Sequence, residues 1–100
     1  MIKQITIEPE AENDLTTSYD WYEERRIGLG KEFLSAFESV VEQLTRFPES
    51  GPIANYKDYR RILLKKFPFE VIYFIKNSNI FILAVFHVKM SDEKKQSRMN

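Results

Sequence analysis

The chain has 100 residues, equal numbers of acidic and basic side chains, a single His and no Cys. This length suits one domain. Without Cys there can be no disulfide, thiol nucleophile or Cys-based metal site, and a lone His argues against a His-based zinc site. The sequence therefore predicts no metal and no other cofactor. It also lacks a signal peptide and an apolar run of the roughly 18 residues that would span a bilayer, so we expect a cytoplasmic protein with no membrane contact.

The net charge of zero hides an asymmetry along the chain. Residues 1–56 carry five bases and eleven acids, whereas residues 57–100 carry ten bases and four acids. This pattern indicates either solvated helix faces or a protein with one acidic and one basic face. A basic face can bind nucleic acid or an acidic partner protein. A general nucleic-acid binder is usually basic overall, which makes that class less expected here.

The N-terminal half predicts a short strand followed by two helices. Residues 3–7 alternate polar and apolar side chains, and Pro9 suits the first position of a helix. Apolar residues at helical spacing continue that helix to about Arg26, before the two glycines at 28 and 30. A second helix is predicted over residues 29–46 with one wide apolar face. The short connection favours an antiparallel helix hairpin.

The C-terminal half predicts three strands. They cover residues 61–65, 69–75 and 80–87, and their short connections favour an antiparallel meander. The last strand is apolar on both faces, so we expect it in the centre of the sheet. From Ser91 onward the chain is polar and lacks any apolar anchor, which predicts a frayed tail.

These elements define an α+β fold with the order β-α-α-β-β-β. In it a two-helix hairpin packs on a mostly antiparallel four-stranded sheet. A single domain is predicted over residues 1–90, with a polar tail over 91–100. The first strand joins the sheet from outside the meander, and its pairing partner is left open.

A basic cluster brackets the first strand of the meander. Its members are Arg60, Arg61, Lys65 and Lys66. Alternation along a strand places Arg61 and Lys65 on one side of the sheet. Guanidinium and ammonium groups bind phosphate or stabilise a developing negative charge. The alternative is protection of an edge strand by basic side chains.

A second cluster joins Tyr73, His87 and Lys89. Tyr73 lies in the middle of a predicted strand, and His87 ends the last strand. A Tyr, a His and several bases could provide the acid, the base and the charge stabiliser of metal-free RNA cleavage. The alternative is a core Tyr whose hydroxyl is hydrogen-bonded and a His that merely ends a strand.

Three segments together resemble the RelE/ParE superfamily of toxins from type II toxin–antitoxin systems, and within it the ParE branch. The first is WYEER at 21–25, followed by the GLG turn at 28–30. The second is FPESGP at 47–52. The third begins with RRILLKKFPF at 60–69 and ends with ILAVFH at 82–87. Their order and spacing agree with the element order predicted above.

The resemblance implies a toxin that a cognate antitoxin protein neutralises. The ParE branch is associated with poisoning of DNA gyrase, whereas RelE-branch members are metal-independent nucleases that cut mRNA on the ribosome. Many relatives carry several bases and a Pro after the last strand, but here that stretch contains only Lys89 as a base. This departure and the zero net charge favour the gyrase-binding hypothesis over the nuclease. An inactive homologue that only binds an antitoxin remains open, and so does whether the chain is an enzyme.

Each hypothesis names its own site residues. For target or antitoxin binding they are Arg60, Arg61, Lys66, Lys89, Tyr22 and Tyr56. For an endoribonuclease the catalytic residues are Arg61, Lys65, Tyr73 and His87. We also expect an exposed apolar rim around Tyr22, Ile53 and Tyr56, which the antitoxin would cover. Self-association into a homodimer is open on the same grounds.

Overall fold

The computed structural model describes residues 1–54 and 58–99 and divides them into seven elements. They are β1 (Gln4–Ile7), α1 (Pro9–Arg25), α2 (Leu29–Arg46), β2 (Arg60–Leu63), β3 (Phe69–Lys76), β4 (Asn79–His87) and α3 (Asp92–Met99). The first six follow the predicted β-α-α-β-β-β order, which confirms the α+β fold class. No described helix is both long and apolar enough to cross a membrane.

The four strands form one sheet in the order β1-β4-β3-β2. Strand β3 is antiparallel to both β2 and β4, so the predicted meander is confirmed. Strand β1 pairs in parallel with β4, with Gln4 opposite Asn79, and this answers the question that the sequence left open. The chain between β1 and β4 includes the helix hairpin, β2 and β3, and so it is long enough for a parallel pairing. Strand β4 lies inside the sheet, as predicted.

Strand β2 is shifted from its predicted position. It begins at Arg60 and ends at Leu63, before a turn in which Lys66 adopts a left-handed backbone with φ of 70°. Lys65 therefore lies in the β2–β3 turn instead of alternating with Arg61 along the strand. The expectation that Arg61 and Lys65 share one side of the strand is wrong for this reason.

A carboxylate closes the turn between α1 and α2. Glu23 accepts the backbone N–H groups of Gly28 at 2.9 Å and Gly30 at 3.0 Å. Gly28 has a φ of 91°, and a Cβ at Gly30 would lie 2.8 Å from the carbonyl oxygen of Tyr19. The two glycines therefore allow the chain to turn and the helices to approach closely. Their N–H groups are already hydrogen-bonded to Glu23.

The main core lies between the helix hairpin and the inner face of the sheet. Helix α2 provides most of its buried helix side chains, which recur at the predicted helical spacing. They pack on apolar residues from β3 and β4. The buried members include Phe33, Phe37, Val40, Leu44, Val71, Ile80 and Ile82. Burial of this apolar surface is the main force that holds the hairpin on the sheet.

Helix α3 covers the outer face of the sheet. Met99 is buried there against Ile72, Ala84 and Phe86. The sequence predicted a frayed tail from Ser91, and the structure differs because the tail is anchored by charged groups in addition to Met99. Such anchors are invisible in a hydrophobicity pattern.

The first charged anchor of α3 is the buried carboxylate of Glu70, which is 1% exposed. Arg61 donates to one of its oxygens at 3.0 Å. The ammonium of Lys95 on α3 forms an ion pair with the other oxygen at 3.2 Å and donates to the carbonyl of Val88 at 3.3 Å. A buried carboxylate needs such partners, so removal of either cation would leave it under-compensated.

The second anchor is Asp14 of α1. Its two oxygens accept hydrogen bonds from Arg98 of α3, each at 3.0 Å, and one of them also accepts the N–H of Val85 at 2.9 Å. The hydrogen bond to Asp14 raises the pKa of the Arg98 guanidinium above its usual value. Strand β1 ends at Ile7, opposite Ile82, and so it cannot supply an acceptor for Val85. Asp14 therefore ties together α1, β4 and α3.

Substitution of Asp14 by Ala should destabilise the fold and release α3. The change strands the N–H of Val85 and the guanidinium of Arg98, and we expect a loss of about 2–4 kcal/mol of unfolding free energy. Urea unfolding measures that loss, and amide hydrogen exchange over residues 92–99 measures the release. Asp20→Ala on the exposed face of the same helix is the matched control. Equal losses in the two variants would contradict the anchor.

Candidate functional site

Several connections meet at one end of the sheet. Phe69, at the start of β3, pairs with His87 at the end of β4, so the β2–β3 turn and the segment after β4 are neighbours. Lys65 and Lys66 lie in that turn, and Lys89 follows β4. We call these four residues, Lys65, Lys66, His87 and Lys89, the basic end. Its three lysines are exposed and have no ion-pair partner within residues 1–54 and 58–99.

A groove of about 440 Å³ opens between α1 and β4, beside the basic end. We call it the α1–β4 groove. Trp21 at its rim is 51% exposed, and the guanidinium carbon of Arg25 lies 3.3 Å from the Trp21 ring centre. Its lining residues are Asn13, Asp14, Thr17, Ser18, Trp21, Tyr22, Phe69, Val85, His87 and Met90.

His87 lines the groove in a defined orientation. Its Nδ1 accepts the backbone N–H of Lys89 at 3.0 Å, and its ring packs edge-on against Phe69 with centroids 5.1 Å apart. A neutral imidazole that accepts at Nδ1 carries its proton at Nε2. His87 therefore presents a hydrogen-bond donor from Nε2, while the Nδ1 lone pair is already in use.

The backbone of β4 is open to the same groove. The N–H of Val88 donates to Pro68 on the β3 side, and backbone groups alternate along a strand, so those of Val85 and His87 point the other way. Asp14 accepts the N–H of Val85, which leaves the Val85 carbonyl and the His87 N–H directed toward the groove. Backbone groups at a strand edge that faces a groove can pair with an extended segment of another protein.

Tyr73 is fully buried and its hydroxyl has two partners. The hydroxyl donates to the carbonyl of Pro48 at 2.8 Å and accepts the N–H of Gly51 at 3.0 Å. A Cβ at Gly51 would lie 2.8 Å from this oxygen, so the loop approaches as closely as only glycine allows. Burial raises the pKa of Tyr73 above its usual 10.0. The Tyr73 side chain therefore holds the FPESGP loop against the sheet.

Arg60 holds the same loop from the neighbouring strand, where it pairs with Tyr73. Its guanidinium donates to the carbonyl oxygens of Gly51 at 2.8 Å and Glu49 at 3.2 Å, and it lies 3.5 Å from the Glu49 carboxylate. These contacts use much of the hydrogen-bonding capacity of the Arg60 guanidinium. The sequence had predicted that this group binds a partner protein.

The structure divides the four candidate catalytic residues. Lys65 and His87 share the basic end. Tyr73 lies four residues from Phe69 along β3, roughly 13 Å from that end. Arg61 projects from the outer face of the sheet to Glu70, away from the helix hairpin. The catalytic assignment of these residues therefore stays a prediction, and three separate regions of the fold hold its members.

The predicted apolar rim is only partly exposed among the residues that the structure describes. Ile53 is 55% exposed. Tyr22 is instead half-buried, stacked on Phe33 at 5.4 Å and edge-on to Phe67 at 5.0 Å, and burial raises its pKa above the usual value. Tyr56 lies outside the described residues.

The sequence pattern did not identify four charged residues that hold the surrounding elements together, namely Asp14, Glu70, Lys95 and Arg98. One signal was available. Glu70 is a single carboxylate within the apolar run from Phe69 to Ile75, and a buried charge in a strand demands a cationic partner. Asp14 gave no such signal, because it lies among other acids on α1. Across residues 1–54 and 58–99, no group of three or more His, Asp or Glu side chains is placed to hold a metal ion.

The same architecture is found in a solved structure of a toxin–antitoxin system. The chain is similar to one described as "Chromosomal ParDE TA system from P. aeruginosa", with a TM-score of 0.67 and 23% identity. The match covers 87% of this chain and 96% of that chain. At this identity the likeness shows a shared fold.

The family itself is shown by sequence. A family model described as "ParE toxin of type II toxin-antitoxin system, parDE" matches residues 5–91. Because the match spans most of the chain, the protein belongs to the ParE toxin family, and the resemblance found in the sequence is confirmed. No curated protein matches the sequence.

Substitution of Tyr73 by Phe tests its structural role. Loss of a hydroxyl that bridges Pro48 and Gly51 should cost about 1–3 kcal/mol of unfolding free energy, because one buried donor and one acceptor lose their partner. Urea unfolding measures this cost. Tyr19→Phe, at a half-buried site with no side-chain hydrogen bond among the described residues, should be nearly neutral. A neutral Tyr73→Phe would remove the hydroxyl from the account of the loop.

The same residue predicts a loss of stability in alkali. The pKa of Tyr73 is raised by folding, so the unfolded chain releases its phenolic proton near pH 10 while the folded chain still holds it. The stabilisation is complete below pH 10 and is lost as the pH rises above it. Unfolding free energy should therefore decline above pH 10, and less steeply in Tyr73→Phe. Identical pH profiles for the two proteins would contradict this.

Proposed function

We propose that this ParE-family chain is a toxin that acts by binding DNA gyrase, and that a cognate antitoxin neutralises it in the cytoplasm. The observation that supports binding over RNA cleavage is the separation of Arg61 and Tyr73 from the basic end. Family membership supports the toxin role, and one fold can host several targets.

Metal-free RNA cleavage requires an acid, a base and a charge stabiliser within hydrogen-bonding reach of one phosphate. The hydroxyl of Tyr73 is committed to Pro48 and Gly51, and Arg61 compensates the buried Glu70. His87 and its neighbouring lysines remain near one another, but Tyr73 and Arg61, the other two candidate catalytic residues, have these partners elsewhere in the fold. This arrangement suits recognition of a surface better than proton transfer.

The contact surface in this proposal combines the basic end with the α1–β4 groove. Exposed lysines attract an acidic surface and raise the association rate. An exposed Trp beside an Arg is typical of residues that dominate binding energy at protein interfaces. Trp21 and Arg25 form such a pair at the groove rim, in contact through the indole face.

A second candidate function is a RelE-like, ribosome-dependent endoribonuclease. The observation that favours it is that His87 lines an open groove. Lys89 follows two residues later in the chain, and Lys65 and Lys66 lie at the same end of the sheet. An inactive homologue that only binds an antitoxin is the third alternative.

Pulse labelling after induction distinguishes the three. The chain is induced in a bacterial host without its antitoxin, and DNA and protein synthesis are followed over the next minutes. We expect DNA synthesis to fail first. Earlier failure of protein synthesis, with mRNA cleavage that disappears in His87→Ala, would establish the nuclease instead. No effect from folded protein would establish an inactive homologue.

A double substitution tests the basic end directly. Lys66→Ala with Lys89→Ala should weaken inhibition of purified gyrase about tenfold, because two exposed cations at the contact are lost. Lys3→Ala with Lys76→Ala, at the opposite end of the sheet, is the charge-matched control and should change inhibition little. If both pairs reduce inhibition equally, net charge and not the basic end governs the interaction.

A further inference from the structure

A second groove of about 500 Å³ lies between α2 and the β2–β3 turn. We call it the α2 groove. Lys31 and Ser35 line one wall, Lys65 and Lys66 line the other, and Ala36 and Phe67 form its floor. It is separate from the α1–β4 groove and shares no lining residue with it.

The two walls follow from the local structure. On α2, Lys31 and Ser35 are four residues apart and so stand one above the other on the same helix face. Opposite them, the left-handed backbone at Lys66 turns the chain back toward β3. Phe67 follows, and its ring packs edge-on against Phe33 in the core at 5.5 Å, which makes the floor rigid.

The charge of the α2 groove is strongly one-sided. Three lysines line it, and none of them has an ion-pair partner in the part of the chain that the structure describes. Its single carboxylate, that of Glu32, already binds Arg26 at 3.0 Å. The groove therefore combines three uncompensated cations with an apolar floor.

We propose that the α2 groove binds an acidic segment of a partner protein. Carboxylates of the segment face Lys31, Lys65 and Lys66, and one apolar side chain of the segment rests on Ala36 and Phe67. The charge of the groove selects acidic residues, and the floor selects a segment that also carries an apolar one. In a toxin–antitoxin pair the antitoxin is the partner expected to carry such a segment, and that assignment alone rests on the proposed function.

Nucleic acid fits this groove less well. On the exposed surface of α2, the carboxylate of Glu38 lies beyond the groove and would repel a phosphate backbone that ran along the helix. The apolar floor gives no match to a phosphate. Recognition of single strands depends on exposed aromatic faces for stacking, whereas Phe67 is engaged by the core.

A second copy of this chain also fits less well. The chain's own acids lie mainly on α1 and α2, so a copy would insert one surface into a different surface of its neighbour. Such a head-to-tail contact does not close as a dimer and would give a ring or an open filament. A separate acidic partner has no such constraint.

The test uses a fluorescently labelled 15-residue peptide of alternating Glu and Ser with one central Leu, titrated with the full chain. We expect saturable binding that weakens about tenfold or more in Lys31→Glu/Lys65→Glu and weakens as salt is raised. Lys3→Glu/Lys76→Glu carries the same charge change at the other end of the sheet and should bind within about twofold of the parent. Circular dichroism of each variant confirms that it is folded.

Two further probes decide the chemistry of the occupant. Replacement of the central Leu by Ser should weaken peptide binding, because the floor loses its contact. A 15-nucleotide single-stranded DNA should bind more weakly than the peptide. Tighter binding of the DNA, equal effects of the two lysine pairs, or self-association abolished by Lys31→Glu/Lys65→Glu would each overturn the proposal. If the chain does not inhibit gyrase, this result is unaffected, because peptide binding is measured without gyrase.

Discussion

The mismatch in length between two neighbouring strands governs much of this structure. Strand β1 has four residues and β4 has nine, so the edge of β4 is uncovered beyond Ile82. Asp14 accepts the backbone N–H of Val85, which β1 does not reach. It also binds Arg98, and this contact docks α3 on the other face of the sheet. The same stretch of β4 lines the α1–β4 groove at Val85 and His87. One short strand thus accounts both for the anchor of the C-terminal helix and for one candidate binding site.

Three arginines and most of the exposed lysines have different roles. The arginines at 60, 61 and 98 bind carbonyl oxygens or carboxylates of the fold itself, which the planar guanidinium does well. Exposed lysines, by contrast, concentrate at the basic end and in the α2 groove. The basic half of the sequence therefore contains both structural cations and cations available to a partner. This division explains why a chain of zero net charge still presents a positive surface.

Membership of the ParE family and the geometry of the site support different parts of the proposed function. The family match establishes a toxin of a type II system, and a shared fold at 23% identity adds the architecture. The geometry of the site bears on the target. A hydroxyl bound on both sides at Tyr73 and a guanidinium bound to a buried carboxylate at Arg61 favour surface recognition.

Local patterns in the sequence predicted the helix hairpin, the meander and the central position of β4, because helical and strand periodicities depend on near neighbours. The family resemblance followed from motifs of the same local kind. Tertiary structure decided the parallel partner of β1, the docking of α3 and the position of Lys65 in a turn. It also placed the hydroxyl of Tyr73 in the FPESGP loop and Arg61 on Glu70. Each of these depends on a contact between residues distant in the chain, where a single carboxylate or carbonyl determines the outcome and leaves no periodic trace in the sequence.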